Sequence, residues 1–211
     1  IYHLPAHTPI DFIPNPIHIP DPDTIDFSHK KTQVVFLGRL DSVKRPWIIG
    51  EIAKKMPKYD FYFAGDCHEQ VMNNIMAPYR KISNCHFLGH IEGKEKDQLL
   101  RESMILINTS IHEAIPVSFL EALSYGLLIV SNRNPDDLTS QFGYYTQQIN
   151  GNGYTSINEF IQGIQSIIRN QKSYYEKAQQ AMSYVHTVHS IEHFIQNIRQ
   201  IIIDEYNNTA K

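Results

Sequence analysis

Two carboxylates and two cations carry most of the chemistry open to this sequence. Glu113 and Glu121 stand eight positions apart in HEAIPVSFLEALSYG (112–126), with Pro116 between them. One helix face would space its carboxylates three, four or seven apart, so the pair reads as one group in a loop and one on the helix that follows. Pro116 suits the first turn of that helix, where a missing N–H costs nothing. It leaves Val117 and Ser118 with backbone N–H groups that can bind an anion. Glu121 lies roughly 7.5 Å further along the axis at 1.5 Å per residue. With a phosphate at the helix start, Glu121 is placed to accept hydrogen bonds from a ribose diol. Glu113, still in the loop, falls on the other side of the phosphates, where a sugar hydroxyl could reach it. Arg39 and Lys44 add two positive charges suited to phosphate oxygens.

Each of these residues also has a plainer use. Ser118, Glu121 and Tyr125 share a helix face opposite Val117, Leu120 and Leu123, and that face could be merely solvated. Arg39 and Lys44 could be surface charges, the glycines turn residues, and His90 and His112 loop histidines. Asp21 and Asp23 imitate the D-x-D of metal-dependent glycosyltransferases but sit in a proline run.

The elements that must position these groups follow from the apolar pattern. Short apolar runs at 34–39, 59–65, 84–89, 104–110 and 127–131 read as five strands. Amphipathic stretches follow them, one through Trp47, Ile48, Ile52 and Met56, one around Val71, Ile75 and Tyr79, one through Leu99 and Leu100, and one from Pro116. Apolar strands alternating with helices predict an α/β fold, a Rossmann-like doubly wound parallel sheet with helices on both faces. In such a sheet the ligand sits beyond the carboxyl ends of the strands. Those ends carry Gly38-Arg39, Gly65-Asp66 and Gly89-His90-Ile91, and the fourth leads into His112-Glu113. Each glycine permits close approach of backbone to a ligand.

Three segments are expected. Residues 1–30 form a Pro-rich linker, 31–154 the nucleotide-binding domain, and 155–211 carboxyl-terminal helices packing on the same domain. Ser156 and Glu159 are spaced as a capping box. Ile157, Phe160, Ile161, Ile164 and Ile168 form one apolar stripe, and Ile191, Phe194, Ile195, Ile198 and Ile202 a second, to be covered by the sheet or by a missing neighbour. The formal net charge of -3 gives no global reason to expect nucleic acid. Two cysteines, Cys67 and Cys85, are too few for a disulfide framework or a zinc site and favour a reducing compartment. No apolar run approaches the length of a membrane helix, so a cytoplasmic protein is expected. A chain opening at Ile1 in a proline run reads as a piece of something longer.

The set GRLDSVKRP, YDFYFAGD, NCHFLGHI and SIHEAIPVSFLEALSYG resembles the carboxyl-terminal, donor-binding domain of the group 1 glycosyltransferases, also called family 4, of the GT-B fold. The resemblance runs from about residue 33 to residue 131, and IDFIPNPI is similar to the family's interdomain segment. It implies that Arg39 and Lys44 neutralise the donor diphosphate, that Glu121 binds the ribose and that Glu113 contacts the transferred sugar. It further implies that Gly38 and Gly65 border the donor, that Gly89, His90 and Ile91 border the base largely through backbone, and that Ala114, Ile115, Pro116, Val117 and Ser118 belong to the nucleotide-sugar site. The implied reaction is retaining transfer from a nucleoside diphosphate sugar, a UDP- or GDP-sugar, to a glycan or lipid-linked acceptor. No metal or other cofactor is implied. An amino-terminal acceptor domain is the implied partner, with peripheral membrane association of the full-length protein and a place at the inner membrane face. The chain departs from the family where Ala114 follows the first glutamate, where Cys67 closes Gly65-Asp66-Cys67, and where Asn132-Arg133-Asn134-Pro135-Asp136 replaces a glycine pair. A nucleotide-sugar epimerase or phosphorylase of the same fold, or a non-catalytic nucleotide-binding or assembly module, are the alternatives.

Overall fold

The computed structural model describes residues 13–146 and 151–209. The first twelve residues of the expected linker lie outside them. Six strands form a single sheet: β1 (Lys31–Leu37), β2 (Phe61–Ala64), β3 (Cys85–Gly89), β4 (Ser103–Asn108), β5 (Leu128–Ser131) and β6 (Gly143–Tyr145). Their order is β3-β2-β1-β4-β5-β6, and every neighbouring pair is parallel. The chain therefore starts in the middle, winds outward one way, and returns to wind the other, with the switch between β1 and β4. The expected doubly wound sheet is the observed one.

The strands read as unbroken apolar runs because both faces are covered. Val34 and Phe36 face a core shared with Ile105, Ile107, Ile48, Ile52, Phe160 and Ile164. Leu106 and Ile129 face the opposite core, with Phe119, Leu120, Leu123 and Val185. Helices α1 (Pro46–Lys55) and α6 (Ile157–Arg169) supply the first layer, α4 (Val117–Ser124) and α7 (Gln171–His189) the second. The remaining helices are α2 (Gln70–Met76), α3 (Gly93–Glu102), α5 (Leu138–Gln141) and α8 (Ile191–Thr209).

Several expectations need correction. The sequence reading missed β6, whose three residues GYY are too short to show a period. Gly143 is required there, since a Cβ on it would lie 1.8 Å from the Ile129 carbonyl oxygen. On α2 the buried positions are Met72 and Met76, while Val71 is 70% exposed. Ser156 does not cap α6: it closes a 3-10 turn in right-handed helical backbone and makes no capping bond, whereas a capping side chain needs extended backbone. The first apolar stripe is buried or packed against the core as expected. The second is not covered, for Ile191, Ile195 and Ile202 stand exposed on α8. Among the described residues no helix is long and apolar enough to cross a membrane. Cys67 and Cys85 are both unpaired.

At the amino ends of the strands the chain closes on the ammonium of the part-buried Lys30. Lys30 Nζ donates to the carbonyls of Leu100, Ser103 and Tyr125 at 2.9, 2.8 and 2.8 Å. These carbonyls belong to the carboxyl end of α3, the start of β4 and the carboxyl cap of α4, so one ammonium ties three elements together. Burial, helped by the charge of Arg101, pushes this ammonium down to about 7. The lead-in segment is tied to the end of α7 by Ile17 N donating to the His189 carbonyl at 3.0 Å, with His189 Nδ1 2.9 Å from the Asn15 carbonyl.

Candidate functional site

The carboxyl ends of the strands hold the expected residues. A cavity of about 450 Å³ opens there, lined by Gly38, Arg39, Gly65, His90, Ile91, Ser118 and Glu121 among the expected residues, and by Asp66, His68 and Lys96 among those not singled out. The strand-end turns interlock. Gly38 N donates to the Ala64 carbonyl, Gly65 N to the Gly89 carbonyl, and Leu40 N to the Asp66 carbonyl. A Cβ on Gly65, whose φ is +148°, would lie 2.0 Å from the Gly38 oxygen. Close approach is therefore demanded first by the neighbouring turn, and the rim is built before any ligand arrives. Asp66 Oδ1 accepts from His90 N at 3.0 Å and joins the second turn to the third. The His90 ring itself points into solvent, 3.7 Å from Glu92.

Pro116 sits one residue earlier than expected, as the cap of α4, with extended backbone and its carbonyl accepting from Phe119 N at 2.9 Å. Val117 and Ser118 are then the first two helical residues, whose N–H groups have no intrahelical partner. Val117 is half exposed rather than part of the buried stripe, and Tyr125 is buried, donating to Asp97 at 2.8 Å. Ala114 is exposed, and Ile115 packs against the core below the loop.

Each glutamate is paired with a lysine. Lys44 Nζ contacts Glu113 Oε1, which also accepts from Ser110 Oγ at 2.6 Å and Asn108 Nδ2 at 3.1 Å. Burial alone would raise this carboxyl. The bonds from Lys44, Ser110 and Asn108, with the lysine charge, outweigh it and hold Glu113 below the ordinary glutamate value. All three donors converge on one oxygen, and no described residue donates to the other. Glu121 Oε1 lies 2.5 Å from Lys96 Nζ. Arg39 reaches out, its side chain 75% exposed and 3.6 Å from Asp41. Lys44 lies just beneath Gly38, its Cε 3.9 Å from where a glycine Cβ would stand. The Lys44–Glu113 pair thus adjoins the cavity without lining it.

Behind Glu113 lies a buried polar layer that sequence reasoning missed. Arg45, 3% exposed and in left-handed backbone, donates to the carbonyls of Thr109 and Ser110 at 2.8 and 3.2 Å. Arg133 and Asn132 also donate to the Ser110 carbonyl, at 3.2 and 3.0 Å. This fixes the loop that presents Glu113. At the end of the stretch 132–136 and just after it, Asp136 and Asp137 take φ of 48° and 58°. Aspartate tolerates that left-handed region better than most residues. Asp21 serves as a turn cap, accepting from Asp23 N at 3.0 Å. His112 is exposed.

A doubly wound parallel sheet with a cationic, carboxylate-bearing rim at its strand ends defines an open α/β class of protein, whose ligands sit beyond the carboxyl ends of the strands. A family model described as glycosyl transferases group 1 matches residues 21–187, and the chain belongs to that family. Over 129 residues it is 30% identical to one component of the human phosphatidylinositol N-acetylglucosaminyltransferase, a match covering 61% of this chain and 26% of that protein. The chain thus spans about a quarter of that relative. A variant of S. aureus TarM in complex with Fondaparinux, alpha-GlcNAc-glycerol and UDP superposes with a TM-score of 0.70 at 18% identity, over 89% of this chain and 38% of that one. The carboxyl-terminal domain of the group 1 glycosyl transferase LpcC from Francisella tularensis superposes with a TM-score of 0.60 at 18% identity, over 77% of this chain and 88% of that domain. These structural likenesses show the GT-B fold.

Proposed function

We propose that this chain is the donor-binding half of a retaining glycosyltransferase, moving a sugar from a nucleoside diphosphate sugar to a glycan or lipid-linked acceptor. The observation that carries the proposal is the pairing of Glu113 with Lys44 and of Glu121 with Lys96 on the two sides of an open helix start. In this reading the diphosphate lies over Val117 and Ser118, beside Arg39 and Lys44. As the bond from the anomeric carbon to the phosphate oxygen breaks, negative charge grows on the leaving diphosphate, and these groups are preorganised to receive it. They do so without calling on a metal. The Glu113 oxygen that receives no protein hydrogen bond accepts from a hydroxyl of the transferred sugar, and Glu121 holds the ribose. The UDP in the S. aureus TarM complex supports a nucleotide ligand on this fold.

The acceptor and the opposite wall of the cleft belong, in this proposal, to an amino-terminal domain, since the matched region covers 26% of the human relative and 38% of TarM. Reacting atoms must be held about 3–3.5 Å apart and aligned, which half a cleft cannot impose. The chain alone is then silent in transfer, and the full protein works at a cytoplasmic membrane face.

The test is calorimetric titration of this chain with UDP, GDP and ADP, beside a transfer assay. Saturable binding of at least one diphosphate with no transfer is expected. Absence of binding by all three would contradict the donor site, and robust transfer would contradict the half-enzyme reading.

A further inference from the structure

We infer that Lys96 is a specificity-determining residue of the nucleoside end of the cavity. It positions the Glu121 carboxylate for a ribose diol and so sets how strongly the site prefers a ribonucleotide over one lacking both hydroxyls. The inference rests on the donor-site reading above.

Lys96 and Glu121 both line the strand-end cavity, Nζ to Oε1 at 2.5 Å, with side chains 30% and 24% exposed. Fold stability does not account for a cation at this position. Lys96 lies in the first turn of α3, which begins at Gly93. The positive end of the helix dipole disfavours a lysine there, and a partly exposed ion pair adds little to stability. A residue that breaks a local rule with no structural return marks a site used for something else.

The geometry supplies that use. Glu121 sits midway along α4, and without a partner its carboxylate would sample several rotamers over the cavity mouth. Lys96 holds one carboxylate oxygen, and no described residue donates to the other. An anchored carboxylate with one oxygen uncommitted accepts from a diol without the ordering cost a mobile one would incur. The ammonium has two further N–H groups committed to no described residue, available to a hydroxyl oxygen of the same ribose. Glu121 and Lys96 together thus present acceptor and donor to one diol.

The experiment measures binding of UDP, GDP and ADP and of their 2′,3′-dideoxy counterparts to the parent chain, Lys96→Met and Lys96→Arg, with melting temperatures as a control on folding. The parent is expected to prefer the ribonucleotide by about tenfold or more. Lys96→Met should narrow that preference by about threefold or more, chiefly by weakening the ribonucleotide, at an unchanged melting temperature. Lys96→Arg should restore most of it. An equal loss for both nucleotides would make Lys96 a general attractor of diphosphate and overturn the inference. So would an unchanged preference, or a loss that arginine does not rescue. Failure of the parent to bind any of the diphosphates would overturn the donor-site reading itself, and this inference with it.

Discussion

Lysines stand at both ends of the sheet, and their surroundings differ in kind. At the amino ends, Lys30 is part-buried and its ammonium meets three backbone carbonyls. At the carboxyl ends, Lys44 and Lys96 are part exposed, and each meets a single carboxylate. An ammonium that gathers carbonyls from three elements is committed to the fold, because removing it takes a donor from all three at once. A part-exposed lysine on a carboxylate adds little to stability and can exchange partners when an anion arrives. The same side chain is a structural staple at one end and, in the proposed donor site, a ligand group at the other, and the acceptors it faces decide which.

The largest effect expected from breaking this contrast is on folding. Lys30→Met should destabilise the chain by about 3 kcal/mol, the order expected for buried acceptors left unpaired, measured by urea unfolding, with nucleotide affinity of the folded protein unchanged. The pH dependence sharpens the point. The Lys30 ammonium titrates at about 7 in the folded chain against an ordinary 10.5. The unfolded chain therefore binds more protons between those values, and this group's contribution to stability rises with pH across that window. It is complete above about 10.5 and lost as pH falls through about 7. The stability difference between parent and Lys30→Met should accordingly grow from pH 7 to pH 10 in parallel unfolding curves. A flat difference would contradict the burial argument.

Lys44→Ala should cost some stability, since it leaves the largely buried Glu113 carboxylate without its counter-charge, and should weaken nucleoside diphosphate binding by about 1.5–3 kcal/mol, the range for hydrogen bonds to charged groups. Calorimetry checks this, and a similar but smaller loss is expected for the exposed Arg39→Ala. Glu121→Gln should weaken the nucleotide by about 1 kcal/mol through the ribose. Glu113→Gln should leave bare nucleotide binding unchanged and lower turnover of the full-length protein. Equal effects of the two substitutions on nucleotide affinity would sink that division of roles. Smallest of all is the effect of EDTA, for which no change in nucleotide affinity is expected. A large loss restored by magnesium would show that the cationic rim does not suffice.

The strands that bear the site were legible in the sequence because each is buried on both faces and reads as a plain apolar run. So were the glycines and the two glutamates, which stand at strand ends and around a helix start that the local pattern already marks. The edge strand β6 was not, since Gly143, Tyr144 and Tyr145 owe their pairing to backbone contact with β5. Nor was the inward face of α2, where Met72 and Met76 rather than the β-branched residues fill the core. Lys96 lies 25 positions from Glu121, and Arg45 lies 65 from the Ser110 carbonyl it holds. Lys96 stands between Glu95 and Asp97 in the chain, so nothing in its neighbourhood pointed to the distant Glu121 as its partner, although its place in a first helical turn was a clue. The lysine pairs are what folding adds to the motif.

The central claim is that the glycine-rim end of the sheet, and not the Lys30 end, receives a nucleoside diphosphate. The most direct measurement is a titration of isotope-labelled chain with UDP and GDP followed by amide resonances. The account predicts the largest shifts at Gly38, Gly65, Gly89, Val117 and Ser118, with Lys31, Ser103 and Gly126 unmoved. Shifts concentrated around Lys30, or along α7 and α8, with the glycine rim silent would contradict it.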